Sequence, residues 1–219
     1  MKLAIELPRD RPVLALGAHA DDIEIGAGGT LLQLSHDHPA SRFLFAVAAS
    51  DTERSSEALA SARDLLGDRA EVQVGGFEDG YLPFTDPQGV KRWLRSVVES
   101  IRPALVLSPW AGDEHQDHRL MGQLAWQIFR GSTILEYEIP KWESEPFVPN
   151  LLVPLSEGTA RAKLDHLAKS FPSQQGKPWY DISLFSSTLR VRGVQHGSSR
   201  YAEGFVARKL ALEKGAAGD

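Results

Sequence analysis

Along the first 140 residues, short unbroken apolar runs alternate with segments whose apolar residues recur every three or four positions. Val13 to Ala18 (VLALGA) is a run that stops at a polar cluster, the pattern of a strand buried on both faces of a parallel sheet. A helix is predicted from about Gly28. Arg42 to Ala49 reads as a second buried strand, and Ser55 to Leu66 sets Ala58, Leu59, Ala62, Leu65 and Leu66 at helical spacing before Gly67 ends it. Glu71 to Val74 is a third, shorter strand, and the Gly- and Pro-rich stretch from Gly75 to Gly89 reads as loop. Trp93, Leu94, Val97, Val98 and Ile101 then mark an amphipathic helix with Pro103 just beyond its end.

Ala104 to Ser108 (ALVLS) is a fourth buried strand, followed by the polar loop PWAGDEHQDH and a helix burying Leu120, Leu124, Ile128 and Phe129. Ile134 to Ile139 gives a fifth strand, Lys141 to Asn150 a Pro-containing loop, and Ser156 an N-cap for a helix running to Lys169. Beyond it the pattern assigns no element, and the terminal GAAGD reads as a frayed tail. The βαβα alternation predicts an α/β fold, a Rossmann-like, doubly wound, mostly parallel sheet with helices on both faces. The 219 residues suit a single domain of this kind.

Composition narrows the function. Hydrophobic residues at 42% and charged residues at 24% fit an ordinary globular protein. The net charge of -5, with Lys and Arg scattered among Asp and Glu, leaves no basic stripe for nucleic acid. Glu6, Arg9, Asp10 and Arg11 interrupt the apolar N-terminus, so membrane insertion is not expected and a cytoplasmic location is. Homo-oligomerisation stays open. The absence of cysteine matters most, because any metal must then be held by His, Asp or Glu.

Those residue types cluster twice. GAHADDIEIG (Gly17 to Gly26) begins where the first buried strand ends, and DEHQDH (Asp113 to His118) follows the fourth. In an open α/β sheet, loops at the carboxyl ends of the strands line the binding crevice, so the two clusters can converge on one metal. Two imidazoles and one carboxylate from His19, Asp22 and His118 form a three-ligand set with an open position for Zn²⁺ or Fe²⁺, where a bound water loses a proton near neutral pH. Asp21 is expected to act as general base. His115 and Asp117 read as an imidazole oriented by a carboxylate, placed to stabilise an oxyanion or protonate a leaving amine.

The segments AHADD (Ala18 to Asp22) and HQDH (His115 to His118) resemble the A-H-P-D-D and H-P-D-H motifs of the LmbE-like or PIG-L family of zinc-dependent de-N-acetylases, with Ala20 and Gln116 at the two proline positions. The resemblance implies His19, Asp22 and His118 as ligands, Asp21 as base, and His115 with Asp117 as the acid and oxyanion-stabilising pair. The stretches IEIGAGGTL, HQDHRL, LEYEIPKW and RYAEGF are similar to a bacterial carbohydrate-related branch of the family. The activity so implied is removal of an N-acetyl group from an amino sugar or glycoconjugate. Another metal-dependent amidase, or a phosphoester or sugar-nucleotide hydrolase on the same site, is the alternative, and a structural metal in a binding module is disfavoured by the open fourth position.

Other residues have weaker claims. Gly26, Gly28 and Gly29 lack phosphate-loop spacing and suit close packing of a helix start, and Glu24 reads as structural. Arg54, Tyr137 and Glu138 are candidate substrate contacts, with Lys141 close behind, and Trp110 and Trp142 lie in loops where they can stack on a sugar. His36 and His38 are expected to be exposed, His166 exposed or capping, and His196 a loop residue.

Overall fold

The computed structural model describes residues 7–8, 11–143 and 146–210; the terminal GAAGD lies outside them. The chain runs β1 (Val13–Gly17), α1 (Asp22–Asp37), β2 (Phe43–Ala49), α2 (Thr52–Leu66), β3 (Ala70–Phe77), α3 (Pro87–Ser100), β4 (Leu105–Pro109), α4 (Gln116–Ile128), β5 (Thr133–Tyr137), β6 (Leu151–Leu155), α5 (Glu157–Ser170), α6 (Ile182–His196) and β7 (Tyr201–Val206). The sheet has seven strands in the order β3-β2-β1-β4-β5-β7-β6, parallel from β3 to β5 and antiparallel at β7 and β6. This is the Rossmann-like arrangement the alternation predicts, with an antiparallel edge added.

Alternation along the buried strands explains their unbroken apolar character. Val13, Ala15, Phe43 and Phe45 enter one core with Ile23 and Leu31 of α1, Ala58 of α2, Leu167 of α5 and Phe185 of α6. Leu14, Leu16, Leu44 and Ala46 enter the other with Leu94 of α3 and Met121 of α4. Every side chain of these strands therefore meets a helix layer. Among the described residues, no helix is long and apolar enough to cross a membrane.

The structure adds three elements that the pattern did not assign. β6 is a Pro-containing edge strand, β7 carries Glu203 in its centre, and α6 spreads apolar residues around its circumference, with Val191 and Val194 exposed and Arg192 buried. None of them shows a clean period. Helix α1 begins at Asp22, six residues before the expected start near Gly28, because Ile23, Ile25 and Ala27 are buried as its first turns. Its glycines give access to neighbours. A Cβ on Gly26 would lie 2.0 Å from the Tyr137 ring, and one on Gly29 would lie 2.4 Å from Leu155.

That close approach admits a buried ion pair. Lys163 of α5 meets Glu203 of β7 at 2.6 Å and also donates to the carbonyl of Ile25 at 2.6 Å. Glu203 in turn accepts the N–H groups of Gly29 at 2.8 Å and Thr30 at 2.7 Å. The pair therefore clamps the backbone of α1 to α5 and the antiparallel edge. Removing one charge from a buried pair is strongly destabilising, since the other is left uncompensated. Lys163→Met should lower the unfolding free energy in urea by about 3–5 kcal/mol; a loss below about 1 kcal/mol would show that hydrogen bonds from α1 alone sustain the carboxylate.

Candidate active site

The strand order reverses between β1 and β4, which opens a crevice at their carboxyl ends. Residues 18–22 enter it from β1 and residues 110–118 from β4. Asp22 stands in the first turn of α1, and its Oδ2 accepts the N–H groups of Ala18 and His19, each at 2.8 Å. Those bonds fold the β1–α1 loop back on itself. They also fix the carboxylate between two rings.

His19 Nδ1 and His118 Nε2 are 3.1 Å apart, Asp22 Oδ1 lies 3.3 Å from His118 Nε2, and Asp22 Oδ2 lies 3.6 Å from His19 Nδ1. Tetrahedral ligation at 2.0–2.1 Å sets ligand atoms about 3.3–3.4 Å apart, so the two ring nitrogens are spaced for a metal such as zinc, and the Asp22 carboxylate flanks both, Oδ1 toward His118 and Oδ2 toward His19. The ring nitrogens of His19, His115 and His118 also fall within 4.8 Å of one another, which makes the three histidines a candidate metal cluster. The rings of His115 and His118 stack at 4.4 Å.

The far nitrogen of each ligand-like ring is held by carboxylates, the arrangement that orients metal-binding imidazoles. His19 Nε2 lies 2.9 Å from Asp79 and 3.3 Å from Asp117, and His118 Nδ1 lies 3.1 Å from Asp113. Burial works against a charged His118, but Asp22 and Asp113 outweigh it and carry its pKa up to about 8. Burial likewise opposes charge on His19, and Asp22, Asp117 and Asp79 overcome it, holding its pKa well above the usual range. Asp22 is also buried, yet the two imidazoles hold its carboxyl well below the usual range. The cluster demands positive charge, which protons or a metal cation supply.

Asp21 is 1% exposed. Its Oδ1 accepts from Arg54 at 2.9 Å, while Oδ2 is buried without a partner among the described residues. Burial pushes its pKa up, against the pull of Arg54. Arg54 also reaches Asp79 at 2.9 Å and lines the same cleft, so its guanidinium holds both aspartates. Glu24, pushed up to about 8 by burial, accepts from Ser61 at 2.5 Å and faces away into a buried chain in which Ser61 meets His166 at 2.8 Å.

Several expectations are corrected by these positions. Among the described residues, no hydrogen bond or ion pair joins the side chains of His115 and Asp117. His115 caps α4, and its Nδ1 accepts the backbone N–H of Asp117 at 3.3 Å. Asp117 is instead buried against the 78–82 loop, accepting from Gly80 at 2.7 Å and Leu82 at 3.1 Å. Tyr137 does not line the cleft: it is buried beneath α1 and donates its hydroxyl to the carbonyl of Leu16. Glu138 forms a two-pronged pair with Arg192, both contacts at 2.6 Å, away from the cleft. His166 is 4% exposed and bonded to Ser61 and Asp64, because its helix face packs on α2. His196 ends α6 instead of lying in a loop, and His38 is half-buried while His36 is exposed. Trp110 packs edge-on against Phe147, whereas Trp142 lines the cleft.

The cleft has a volume of about 240 Å³. Its floor contains His19, Asp21, Asp22, His115 and His118; Ile139, Lys141, Trp142 and Glu143 enter from one stretch of chain, and Gln174, Lys177 and Trp179 from another. Asp79 escaped sequence reasoning although it follows β3, at the same end of the sheet as the two motifs, and the position rule that found them applies to it equally. Gln174, Lys177 and Trp179 sit in the turns between α5 and α6, a stretch without period, so nothing marked them as cleft residues.

The PIG-L family model, described as GlcNAc-PI de-N-acetylase, matches residues 14–129, more than half of the chain. Among solved structures, the chain is similar to the conserved protein TT1542 from Thermus thermophilus at 23% identity and a TM-score of 0.70, over 93% of this chain and 97% of that one. It is similar to the N,N'-diacetylchitobiose deacetylase of Pyrococcus horikoshii at 22% identity and a TM-score of 0.66, over 91% and 86%. It is also similar to GalB, the 4-carboxy-2-hydroxymuconate hydratase of Pseudomonas putida, at 19% identity and a TM-score of 0.70, over 94% and 100%. These likenesses share a fold across different reactions. The matched span of the family model contains both motif loops and every floor residue of the cleft, and the chain belongs to the PIG-L family of de-N-acetylases.

Proposed function

We propose that the protein is a zinc-dependent N-deacetylase that removes an acetyl group from the nitrogen of an amino sugar or sugar-like conjugate. One observation carries this reading: the triangle of His19 Nδ1, His118 Nε2 and Asp22 lies beside Asp21, whose buried Oδ2 has no partner among the described residues. His19, Asp22 and His118 would hold the ion. When bound, the ion supplies Lewis acidity that makes water a nucleophile near neutral pH.

The chain's own groups do the rest. Asp21 Oδ2 accepts the proton of the attacking water, and Arg54 keeps Oδ1 occupied so that only one oxygen is available. Because His115 Nδ1 accepts the Asp117 N–H, its proton resides on Nε2. Burial and the neighbouring His118 and His19 lower its pKa, so the resting ring is neutral. Its Nε2–H then donates to the carbonyl oxygen as charge develops there, and the proton taken up by Asp21 Oδ2 passes to the departing amine, which restores both groups. A cytoplasmic location fits this reading.

Acetate release from a panel of N-acetylated sugars, with and without chelator, tests the proposal; release insensitive to the chelator would refute it. Metal analysis should find about one zinc per chain, falling in His19→Ala, Asp22→Ala and His118→Ala. Full occupancy in all three would overturn the ligand set.

Asp21→Asn should retain metal and lose about 10²- to 10⁴-fold in kcat, since an amide keeps the shape but accepts no proton. Turnover near wild type would transfer the role to another carboxylate. His115→Ala should keep its metal and lose about 10²- to 10³-fold in kcat. Loss of zinc from that variant would instead make His115 a ligand, as the three-histidine cluster allows.

A further inference from the structure

The floor of the cleft falls inside the family-matched span of residues 14–129, but the walls at 139–143 and 174–179 lie beyond it. The wall at 174–179 is built with more order than a surface loop requires. Glu57 of α2 accepts the backbone N–H of Ser173 at 2.7 Å and its hydroxyl at 2.6 Å. Gln174, 2% exposed, donates to the Ser173 hydroxyl at 2.8 Å. Its amide oxygen accepts from the Lys177 ammonium, also at 2.8 Å.

A lysine ammonium on a flexible stem loses rotamer freedom when it is held in one place. Here a buried neutral amide does the holding. The cleft's other cations are neutralised, Arg54 by Asp21 and Asp79 and Lys141 by Asp113. Among the described residues Lys177 has no carboxylate partner, so its charge faces the cleft uncompensated. Trp179 stands two residues on, fixed edge-on against Tyr180 at 5.5 Å, and Tyr180 is locked by Phe185 and by its hydroxyl bond to Leu167. Trp142, 70% exposed, adds an indole from the other stretch.

We propose that Lys177, with Trp179 and Trp142, is a specificity-determining subsite for a negatively charged substituent, a phosphate or a carboxylate, on the N-acylated sugar. The indoles offer flat apolar faces for the C–H face of a pyranose, and the preset ammonium pairs with the anion as a point charge. The floor cannot take that anion in the same way, because Asp21, Asp22 and Asp79 repel it. The inference rests on the deacetylase reading for the substrate's amino sugar, and not for the anion.

Calorimetry on the zinc-loaded protein with the product amines tests it without turnover. Glucosamine, glucosamine 1-phosphate, glucosamine 6-phosphate and muramic acid separate phosphate from carboxylate and one ring position from another. At least one anionic amine should bind wild type about tenfold more tightly than glucosamine, the scale of a charge-assisted hydrogen bond. That preference should collapse in Lys177→Met, persist in Lys177→Arg and shrink with added salt. Trp179→Ala should weaken charged and neutral amines alike. Absence of any preference in wild type, or a preference that survives Lys177→Met, would overturn the subsite. The N-acetylated counterparts, assayed for acetate, judge the other reading separately. Acetate release with no anion preference sinks the subsite alone, and a Lys177-dependent preference with no acetate release sinks the deacetylase alone.

Discussion

Buried negative charge is the constraint around which the crevice is arranged. Asp21, Asp22, Asp113 and Asp117 are each at most 2% exposed, and Asp79 adjoins them. A carboxylate in such surroundings must be hydrogen-bonded, paired with a cation or protonated. Asp117 is satisfied by the backbone of residues 80 and 82, Asp113 by Lys141, His118 and the N–H of His115, and Asp21 in part by Arg54. Asp22 faces two imidazoles whose far nitrogens face carboxylates as well, so a neutral ring, with its single N–H, can donate to only one side. A divalent cation would resolve that conflict, and the same negative shell would favour its binding.

The fold meets this demand by holding the first turn of α1 immovably. Asp21 and Asp22 lie at its N-terminus, where the helix dipole favours negative charge. Below them Gly26 rests on the Tyr137 ring, and a few residues beyond Gly26 the Lys163–Glu203 pair grips the backbone. Tyr137, Lys163 and Glu203, distant in sequence from the motifs, thus set where the carboxylates stand without touching the cleft. This division explains why Tyr137 and Glu138 do not line the cleft although they lie at the end of a strand that borders the crevice: the α1 helix lies over one, and Arg192 occupies the other.

How much of this was legible in the sequence follows from how local each signal is. The buried strands and the motif loops announce themselves within ten residues, through unbroken apolar runs and clustered His and Asp, so the sheet from β1 to β5 and His19, Asp21, Asp22 and His118 could be placed. Pairings between loops are not local. Asp117 stands two residues from His115, a spacing that suggests a pair, but a capping geometry turns the two side chains apart and leaves only a backbone contact. Asp79 and Lys177 lie in stretches without period, and only the folded chain brings them to the cleft. His166 looked like a surface residue because its helix carries charge on most sides, while the polar partners that let it be buried, Ser61 and Asp64, come from α2.

The same separation bears on how one fold serves different reactions. A deacetylase and a hydratase share this fold with the chain, so the architecture alone does not set the reaction. What distinguishes them must be where a bound molecule presents its reacting carbon, since a shift of about 1 Å is enough to change rates by orders of magnitude. In this chain the walls that could do so are Lys141, Trp142, Gln174, Lys177 and Trp179, contributed by a loop after β5 and by the turns between α5 and α6. Of these, Trp142 and Lys177 are exposed, and loop positions of that kind accept sequence change without disturbing the sheet. On the proposed reading, chemistry rests on buried floor residues held by the first turn of α1, and substrate choice on wall residues whose identity the sheet does not dictate.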